Sequence, residues 1–198
     1  MVIDLKKCIG CNTCVLACKA EHNTPPRIFW TKVLEKEEGR FPSVKKTFFP
    51  ILCYHCKEAP CVDICPTGAT TKREDGIVTI DYDVCIGCRA CMIACPYQNR
   101  YFWGSKDTMY FTESHIPYGG TGSQFQEYQR ATVQKCNFCH ERVERGLEPA
   151  CVAACPADAR TFGDLDDSYS EVSRLTKERD GFQIQPELLT DPSVYYVR

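Results

Sequence analysis

The 198-residue sequence lacks any apolar stretch long enough to cross a bilayer. Its first residues, MVIDLKKCIGC, have no apolar signal core and no twin arginine, and Cys8 comes too early to leave room for a leader. These absences predict a soluble protein that has no membrane span and no signal peptide of its own.

Signatures of catalysis and of nucleic-acid binding are also missing. The sequence contains no Ser-His-Asp set, no pair of catalytic carboxylates and no Rossmann fingerprint in its proper setting. The glycine-rich run at 118–122 is not followed by the Lys-Ser/Thr of a phosphate-binding loop. The formal net charge is −2 and the only compact basic run is Lys45-Lys46, so nucleic acid is not expected as a partner. We therefore predict no catalytic residues.

Cysteine, by contrast, is abundant: the sixteen cysteines fall into four groups of four. Group three has the spacing C-x2-C-x2-C-x3-C-P, which holds [4Fe–4S] clusters through thiolates in bacterial ferredoxins. Groups two, three and four each end in Cys-Pro. The spacing predicts four [4Fe–4S] clusters bound by all sixteen cysteines. The groups are one (Cys8, Cys11, Cys14, Cys18), two (Cys53, Cys56, Cys61, Cys65), three (Cys85, Cys88, Cys91, Cys95) and four (Cys136, Cys139, Cys151, Cys155).

Other uses of these cysteines fit less well. Disulfides are disfavoured because no secretory signal is present and the spacing is tight. A structural zinc site would use two pairs of ligands, whereas groups one and three each place three cysteines close together and add a fourth. No cysteine of the four groups is replaced by another residue, which favours [4Fe–4S] over [3Fe–4S] clusters.

Internal repeats relate the four groups. KCIGCNTCVLAC of group one echoes VCIGCRACMIAC of group three, and Gly10 and Gly87 in these runs let the backbone pass close to a cluster. KCNFC…PACVAACP of group four mirrors LCYHC…PCVDICP of group two. Only 19 residues separate groups two and three, against 34 between groups one and two and 40 between groups three and four. Groups two and three therefore pair, and so do groups one and four.

This pairing predicts an α+β fold of two bacterial-type 2[4Fe–4S] ferredoxin-like lobes, one inserted into the other. Residues 51–98 would form the inserted lobe, and residues 1–50 plus 132–163 the split lobe. Residues 99–131 would be an insert loop, and residues 164–198 a C-terminal helix followed by an extended arm.

The ligands of each cluster follow from the ferredoxin rule that the fourth cysteine of a run binds the other cluster of the pair. The rule gives cluster one Cys8, Cys11, Cys14 and Cys155; cluster two Cys18, Cys136, Cys139 and Cys151; cluster three Cys53, Cys56, Cys61 and Cys95; and cluster four Cys65, Cys85, Cys88 and Cys91.

Local patterns predict three further elements. Residues 44–52 and 77–80 are expected to be strands, the latter after a turn at 74–76, and a helix is expected around 170–179. Histidines 55 and 140 stand beside cysteines and are expected to pack near a cluster or tune it, since every ligand position already holds cysteine. Histidines 22 and 115 are expected at the surface.

The signatures CIGC…AC, PCV…CP and KCxFC…PACVxACP, in this order, resemble the iron–sulfur electron-transfer subunit of the molybdopterin oxidoreductase (dimethyl-sulfoxide reductase) family. The likeness covers nearly the whole chain and is strongest to the arsenate and sulfur-compound (polysulfide, thiosulfate, tetrathionate) reductase branch. It implies a non-catalytic subunit whose four clusters connect a molybdenum or tungsten bis-pterin catalytic subunit to a second redox partner, such as a quinone-reactive membrane subunit or a cytochrome.

Three other functions stay open: a free polyferredoxin shuttle, the small subunit of a molybdenum aromatic hydroxylase or hydroxyltransferase, and a structural zinc protein. Small subunits of hydroxyltransferases can lack cluster ligands, so the complete set of cysteines favours a true redox role. The insert and the C-terminal arm favour a docked subunit over a shuttle. Because members of the family are often exported with their catalytic subunit, the resemblance implies either the cytoplasm or co-export to the periplasm.

Overall fold

A computed structural model describes residues 1–25, 27–104 and 131–198. Most of the predicted insert loop at 99–131, together with His115, lies outside the described residues. Among the residues that are described, no helix is long and apolar enough to span a bilayer.

The chain forms short helices and strands in alternation, which makes the fold a mixed α/β arrangement. In chain order the described elements are β1 (Val2–Asp4), α1 (Thr13–His22), β2 (Thr31–Arg40), β3 (Ser43–Leu52), α2 (Pro60–Asp63), β4 (Thr70–Lys72), β5 (Val78–Ile80), α3 (Ala90–Ala94), β6 (Tyr101–Trp103), β7 (Thr132–Gln134), α4 (His140–Val143), α5 (Ala150–Ala153), β8 (Arg160–Thr161), α6 (Glu171–Glu178), a 3₁₀ turn (Pro186–Leu188) and β9 (Tyr195–Val197).

A buried three-stranded sheet joins the two ends of the described chain. Its strand order is β8-β1-β9, with β1 antiparallel to β8 and parallel to β9. Val2 stands opposite both Thr161 and Tyr195. The C-terminal residues predicted as an extended arm therefore end in a strand, whose Tyr196 is fully buried. A parallel pair needs residues far apart in sequence, so local patterns could not reveal it.

Two hairpins confirm the strand predictions. β2 and β3 pair over ten residues each, which places the predicted strand at 44–52 within Ser43–Leu52. β4 and β5 pair across the predicted turn, where Gly76 has a positive φ of 79°. Backbone positions with φ in this range favour glycine, which explains its use at the tip.

Four of the short helices pack in two pairs. Helix α1 packs against α5, and α2 packs against α3. The predicted C-terminal helix is also present as α6, and the side chain of its N-cap residue Ser170 accepts a hydrogen bond from the backbone N–H of Ser173 at 3.2 Å. This cap satisfies a backbone donor that the first turn leaves without a partner.

The larger of two apolar clusters in the described chain draws on segments from every part of it, and a smaller cluster contains Val2, Val172 and Val197. Trp30 from the first part, Leu52 and Tyr54 from the middle, Phe138 from the later part and Tyr196 from the C-terminal strand belong to the same buried cluster. The division of the chain into two lobes therefore stays a prediction, since the packing is continuous across it.

Candidate iron–sulfur centres

The four cysteine groups share one local backbone pattern. In every group the third cysteine lies in a short helix, α1, α2, α3 or α5. The residue immediately before the second cysteine has a positive φ in every group, at 71° for Gly10, 44° for His55, 66° for Gly87 and 54° for Phe138. A loop that turns sharply and then enters a helix points several side chains towards one centre, which suits thiolates that must surround a cluster.

All sixteen cysteines are free thiols, and none forms a disulfide. Their exposure differs between groups in a way that matters for electron transfer. Cys11 and Cys88 are exposed, whereas the four predicted ligands of cluster two are all buried. The predicted sites of clusters one and four therefore lie nearer the surface than the predicted site of cluster two.

Cys14 lies near the other predicted ligands of cluster one. Burial raises the pKa of the Cys14 thiol, and the neighbouring sulfurs of Cys151, Cys155 and Cys8 raise it further against the opposing charge of Arg160. Two of these three sulfurs, those of Cys8 and Cys155, belong to the same predicted site. The third, Cys151, belongs to cluster two and lies at the contact between the two sites.

Cys18 occupies the corresponding position for cluster two. Burial raises its pKa well above the usual value, and the sulfurs of Cys136, Cys151 and Cys139 add to the shift. These three cysteines and Cys18 are the complete predicted ligand set. The fold thus brings residue 18 to within electrostatic reach of group four, more than a hundred residues later in the chain.

Cys56 is surrounded in the same way by the ligands predicted for cluster three. Burial raises its pKa to about 12, and the sulfurs of Cys53, Cys61 and Cys95 contribute in the same direction. A thiol with so high a pKa is protonated at neutral pH, so binding iron as a thiolate must release its proton.

The ligands predicted for cluster four line a small cavity. Cys65, Cys85, Cys88 and Cys91 all contribute to its wall. Partial burial raises the pKa of Cys65, but hydrogen bonds from the backbone N–H and side chain of neighbouring threonines outweigh it and lower the pKa to about 7. One of these donors is the backbone N–H of Thr70, at 3.4 Å from the Cys65 sulfur. Such N–H donors stabilise a thiolate.

The residues present fit iron–sulfur clusters in a second respect: a buried donor beside the cysteines lacks a partner. The Nη2 atom of Arg100 is buried and without a hydrogen-bond partner in the described part of the chain. Arg100 lies beside Cys61, Cys53 and Cys91. Cluster sulfides are acceptors, so a donor left over beside four-cysteine sets agrees with the predicted cofactor.

A single-ion site is not formed by the same cysteines. Within residues 1–25, 27–104 and 131–198, no three His, Cys, Asp or Glu side chains lie close enough to hold one metal ion. Each iron of a four-iron cluster takes one thiolate, so its four ligands stand further apart than the ligands of a zinc ion.

The sites follow one another in space. Cys136 of predicted cluster two lies near Cys53 of predicted cluster three, and the tyrosine ring of Tyr101 lies among sulfurs of both. The buried ammonium of Lys135 lies in the same region and donates to the carbonyl oxygens of Val78 and Cys136. Cys14 lies near Cys151, and Cys61 of predicted cluster three lies near Cys91 of predicted cluster four, so the predicted sites follow the order one, two, three, four.

His22 corrects one prediction, since it is buried and not at the surface. Its Nε2 atom lies 3.0 Å from the Cys139 sulfur, and its ring lies 4.7 Å from that of Trp30. A cluster-bound thiolate can only accept a hydrogen bond, so Nε2 must donate. Burial lowers the pKa of His22, which keeps the ring neutral. Local sequence carries no sign of this contact, because residue 22 ends a helix among polar neighbours.

The other two described histidines, which adjoin cysteines in sequence, differ in burial and in their partners. His55 is fully buried and accepts a hydrogen bond from the backbone N–H of Val78 at 3.0 Å. Burial lowers the pKa of His55 well below its usual value. His140 is partly exposed and pairs with Glu141 and Glu144. Neither is needed as a ligand.

Two buried arginines were missed by the sequence predictions although they share a clear signal. Arg100 and Arg160 each stand five residues after the last cysteine of a group, in CPYQNR and CPADAR. Both contact cysteines. A comparison of the segments that follow Cys-Pro would have identified them.

Comparison with known proteins gives a consistent result. The 4Fe–4S dicluster domain family matches residues 44–110 and 105–165, and a second 4Fe–4S dicluster domain family matches residues 7–69. These matches together include all four cysteine groups.

Individual relatives align along the whole chain. The chain is 47% identical to a protein assigned as the iron–sulfur subunit of a dimethyl sulfoxide reductase in Halobacterium salinarum, covering 100% of this chain and 78% of the relative. It is 42% identical to the iron–sulfur subunit of the arsenate respiratory reductase of Shewanella sp., covering 100% and 95%. It is 42% identical to a subunit of the selenate reductase of Mesobacillus selenatarsenatis, covering 100% and 70%.

Proposed function

Since the chain belongs to the 4Fe–4S dicluster family of reductase iron–sulfur subunits, we propose that it connects a molybdenum or tungsten bis-pterin catalytic subunit to a second redox partner. When bound, its four [4Fe–4S] clusters supply one-electron transfer. The chain itself contributes the ligands, the shielding from water and the docking surfaces, and it carries no catalytic residue.

One observation carries this proposal: the four cysteine sets adjoin one another in series. Cys14 lies by Cys151, Cys136 lies by Cys53, and Cys61 lies by Cys91. The two sulfurs of each pair belong to two successive predicted sites. A series of sites is what an electron relay between two partners requires, whereas a structural metal protein gains nothing from it.

The ligand assignment follows the same contacts. Each of Cys14, Cys18 and Cys56 has sulfurs of its own predicted set among its neighbours, and the predicted set of cluster four lines one cavity. The assignment requires that Cys18 and Cys155 exchange between groups one and four, as the fourth cysteines of a ferredoxin do.

The lobe arrangement is proposed on similar grounds. Packing of α1 on α5 joins groups one and four, and packing of α2 on α3 joins groups two and three. These are the pairs expected if residues 51–98 are inserted into a lobe made of residues 1–50 and 132–163.

Exposed apolar side chains at both ends of the series support docked partners. Ile9 and Leu16, at the cluster one end, are 61% and 66% exposed. Ile86 and Ile93, at the cluster four end, are 66% and 87% exposed. Large apolar side chains grouped at the surface indicate contact with another protein. We therefore place the catalytic subunit and the second partner, a quinone-reactive membrane subunit or a cytochrome, at opposite ends.

The substrate of the complex is determined by the catalytic partner. Relatives named for dimethyl sulfoxide, arsenate and selenate reduction share 42–47% identity with this one chain. The complex works either in the cytoplasm or after co-export with the catalytic subunit.

Purification from the native source under anaerobic conditions tests the proposal. We expect a large subunit containing molybdenum or tungsten to co-purify, with about sixteen irons per copy of this chain. A lone monomer with the same iron content would instead identify a free electron shuttle. Zinc without visible absorbance would overturn both electron-transfer functions, and a co-purifying subunit active on aromatic rings would assign the hydroxylase alternative.

A further inference from the structure

The two arginines that stand five residues after a Cys-Pro cysteine occupy equivalent places in the structure. Arg100 and Arg160 are only 3% and 4% exposed. Isolated guanidinium groups are rarely buried, because removal from water costs several kcal/mol unless charges and hydrogen bonds compensate. Both side chains must therefore have specific partners inside the protein.

Arg160 contacts one cysteine from each of two groups. Its Nη1 atom donates to the Cys151 sulfur at 3.6 Å, and its Nη2 atom donates to the Cys14 sulfur at 3.4 Å. Nη2 also donates to the Thr31 hydroxyl at 3.2 Å, which orients the group. The forked guanidinium thus reaches a ligand of predicted cluster one and a ligand of predicted cluster two at the same time.

Arg100 repeats this arrangement. Its guanidinium lies beside the sulfurs of Cys61 and Cys91, and its Nη1 atom donates to the Thr70 hydroxyl at 3.1 Å. Its Nη2 atom has no partner among the described residues. Cys61 belongs to predicted cluster three and Cys91 to predicted cluster four, so this arginine also stands between two neighbouring sites.

The equivalence extends to the cysteines. Each of the four that an arginine contacts, namely Cys14, Cys61, Cys91 and Cys151, is the third cysteine of its group. The two arginines thus share their spacing from a Cys-Pro cysteine, two neighbouring third cysteines and a threonine hydroxyl that accepts a hydrogen bond.

We propose that Arg100 and Arg160 are electrostatic positioning residues, each of which raises the reduction potentials of both clusters in its own pair. The proposal rests on the proposed function, because it requires the clusters and their pairing. The threonine hydroxyl holds the guanidinium between the two sites, and the buried positive charge acts on both.

The physical basis is the charge that an electron adds. A reduced cluster is more negative than an oxidised one, so a fixed cation close to its ligands stabilises the reduced form. Arginine stays protonated at any physiological pH, and its planar fork can face two sulfurs as lysine cannot. Because one charge lies against both clusters, both potentials rise together, and the driving force for electron exchange between the two clusters stays nearly unchanged.

Redox titrations of the purified full chain, followed by EPR of the reduced clusters, test this proposal. Arg160→Gln should make reduction of clusters one and two about tenfold less favourable, about 59 mV for one electron, and leave clusters three and four unchanged. Arg100→Gln should shift clusters three and four by a similar amount and leave clusters one and two unchanged. Arg145→Gln, at an exposed arginine, serves as the control and should shift no cluster.

The Lys variants separate charge from structure. Arg160→Lys keeps the charge but loses the fork. The equilibrium constant for reducing clusters one and two should therefore stay within threefold of the wild-type value. If the Gln variants lose iron, the Lys variants alone provide the test. A tenfold lower equilibrium constant for cluster reduction in the Lys variants would overturn the proposal. Unchanged potentials in iron-replete Gln variants, or an equal shift of all four clusters, would overturn it as well. A wild-type chain that lacks four cluster signals would instead refute the proposed function.

Discussion

The imidazole ring of His55 stacks on the phenyl ring of Phe138, with centroids 3.8 Å apart and planes inclined by 20°. Each residue precedes the second cysteine of its C-x-x-C pair, Cys56 or Cys139, with a positive φ of 44° or 54°. Both side chains are buried. The stack therefore joins the cluster-binding loop of group two directly to that of group four, across the predicted boundary between the lobes.

This stack should couple the two loops energetically. Phe138→Ala should lower the free energy of unfolding by about 3–5 kcal/mol, since it removes a buried aromatic ring. A double-mutant cycle with His55→Ala should give a coupling of about 0.5–1.5 kcal/mol, measured by anaerobic denaturation followed through cluster absorbance. Tyr169→Ala, at a 96% exposed ring, is the control and should change little. Strict additivity would contradict a direct contact.

The ligand exchange between groups one and four can be tested with three serine substitutions. Cys18→Ser and Cys151→Ser should both perturb the EPR signal of cluster two, although the residues lie far apart in sequence. Cys14→Ser should perturb cluster one instead, although Cys14 and Cys18 share helix α1. The pairing is wrong if Cys18→Ser and Cys151→Ser perturb the EPR signals of different clusters. It is also wrong if Cys14→Ser and Cys18→Ser perturb the signal of the same cluster.

Removal of the hydrogen bond from His22 should lower the potential of cluster two selectively. His22→Ala deletes a donor 3.0 Å from the Cys139 sulfur, which should disfavour reduction of that cluster by about tenfold, or about 59 mV. His22→Gln retains a donor and should lie closer to wild type.

His140→Ala is the matched control for this substitution. His140 adjoins Cys139 in sequence, but its ring nitrogens lie beside Glu141, Glu144 and Arg73 and not beside a sulfur. An equal shift from His140→Ala in a redox titration would show that the effect does not come from the hydrogen bond to sulfur.

Gly87→Ala should prevent normal assembly of the cluster four loop. Gly87 has a φ of 66°, and an added Cβ would fall on the carbonyl oxygen of Ala131. We expect the free energy of unfolding to fall by about 3 kcal/mol or more, and metal analysis to show a lower iron content. Gly68→Ala is the control, because Gly68 has a φ of 69° but open space around it, and it should cost only about 1–2 kcal/mol. Equal losses would show that backbone strain alone matters.

Asp4→Asn should destabilise the sheet that joins the chain ends. Burial raises the pKa of the Asp4 carboxyl, but its ion pair with Arg179 and N–H donors from Lys7 and Lys6 outweigh burial and lower the pKa. The folded pKa lies below the unfolded one, so the stabilisation is present above about pH 4 and is lost as the pH falls through the folded pKa.

Anaerobic denaturation of the Asp4→Asn variant at several pH values checks this. We expect the free energy of unfolding to fall by about 1–2 kcal/mol relative to wild type, by the same amount from pH 8 to pH 5. Arg174→Gln breaks an exposed pair with Glu178 and should cost less than about 0.5 kcal/mol. A loss for Asp4→Asn that already shrinks between pH 8 and pH 6 would contradict the sign and the cause.

Much of the site could be predicted from sequence because cluster ligands are local. Three cysteines at spacings of two residues can surround a cluster only through a tight loop that enters a helix, so spacing predicts both the cofactor and the backbone. Gly10 and Gly87 were recognisable for the same reason. The equivalent places held by His55 and Phe138 were not, because residues other than glycine rarely adopt a positive φ.

Contacts between distant segments could not be predicted in this way. His22 meets Cys139 across 117 residues, and no local pattern marks it as buried. The C-terminal strand at Tyr196 pairs in parallel with β1 near the start of the chain, which only the folded structure reveals. The prediction of an insert loop stays untested over residues 105–130, which lie outside the described residues.

Residue identity and short-range spacing are enough to predict the type and number of the metal centres, because thiolate ligation depends on little else. The buried groups that act on those centres emerge only from the packing of distant segments. Arg100 and Arg160 each face cysteines of two groups because the fold brings those groups together. Electrostatic effects depend on distance and burial, and local sequence determines neither for residues that are far apart along the chain.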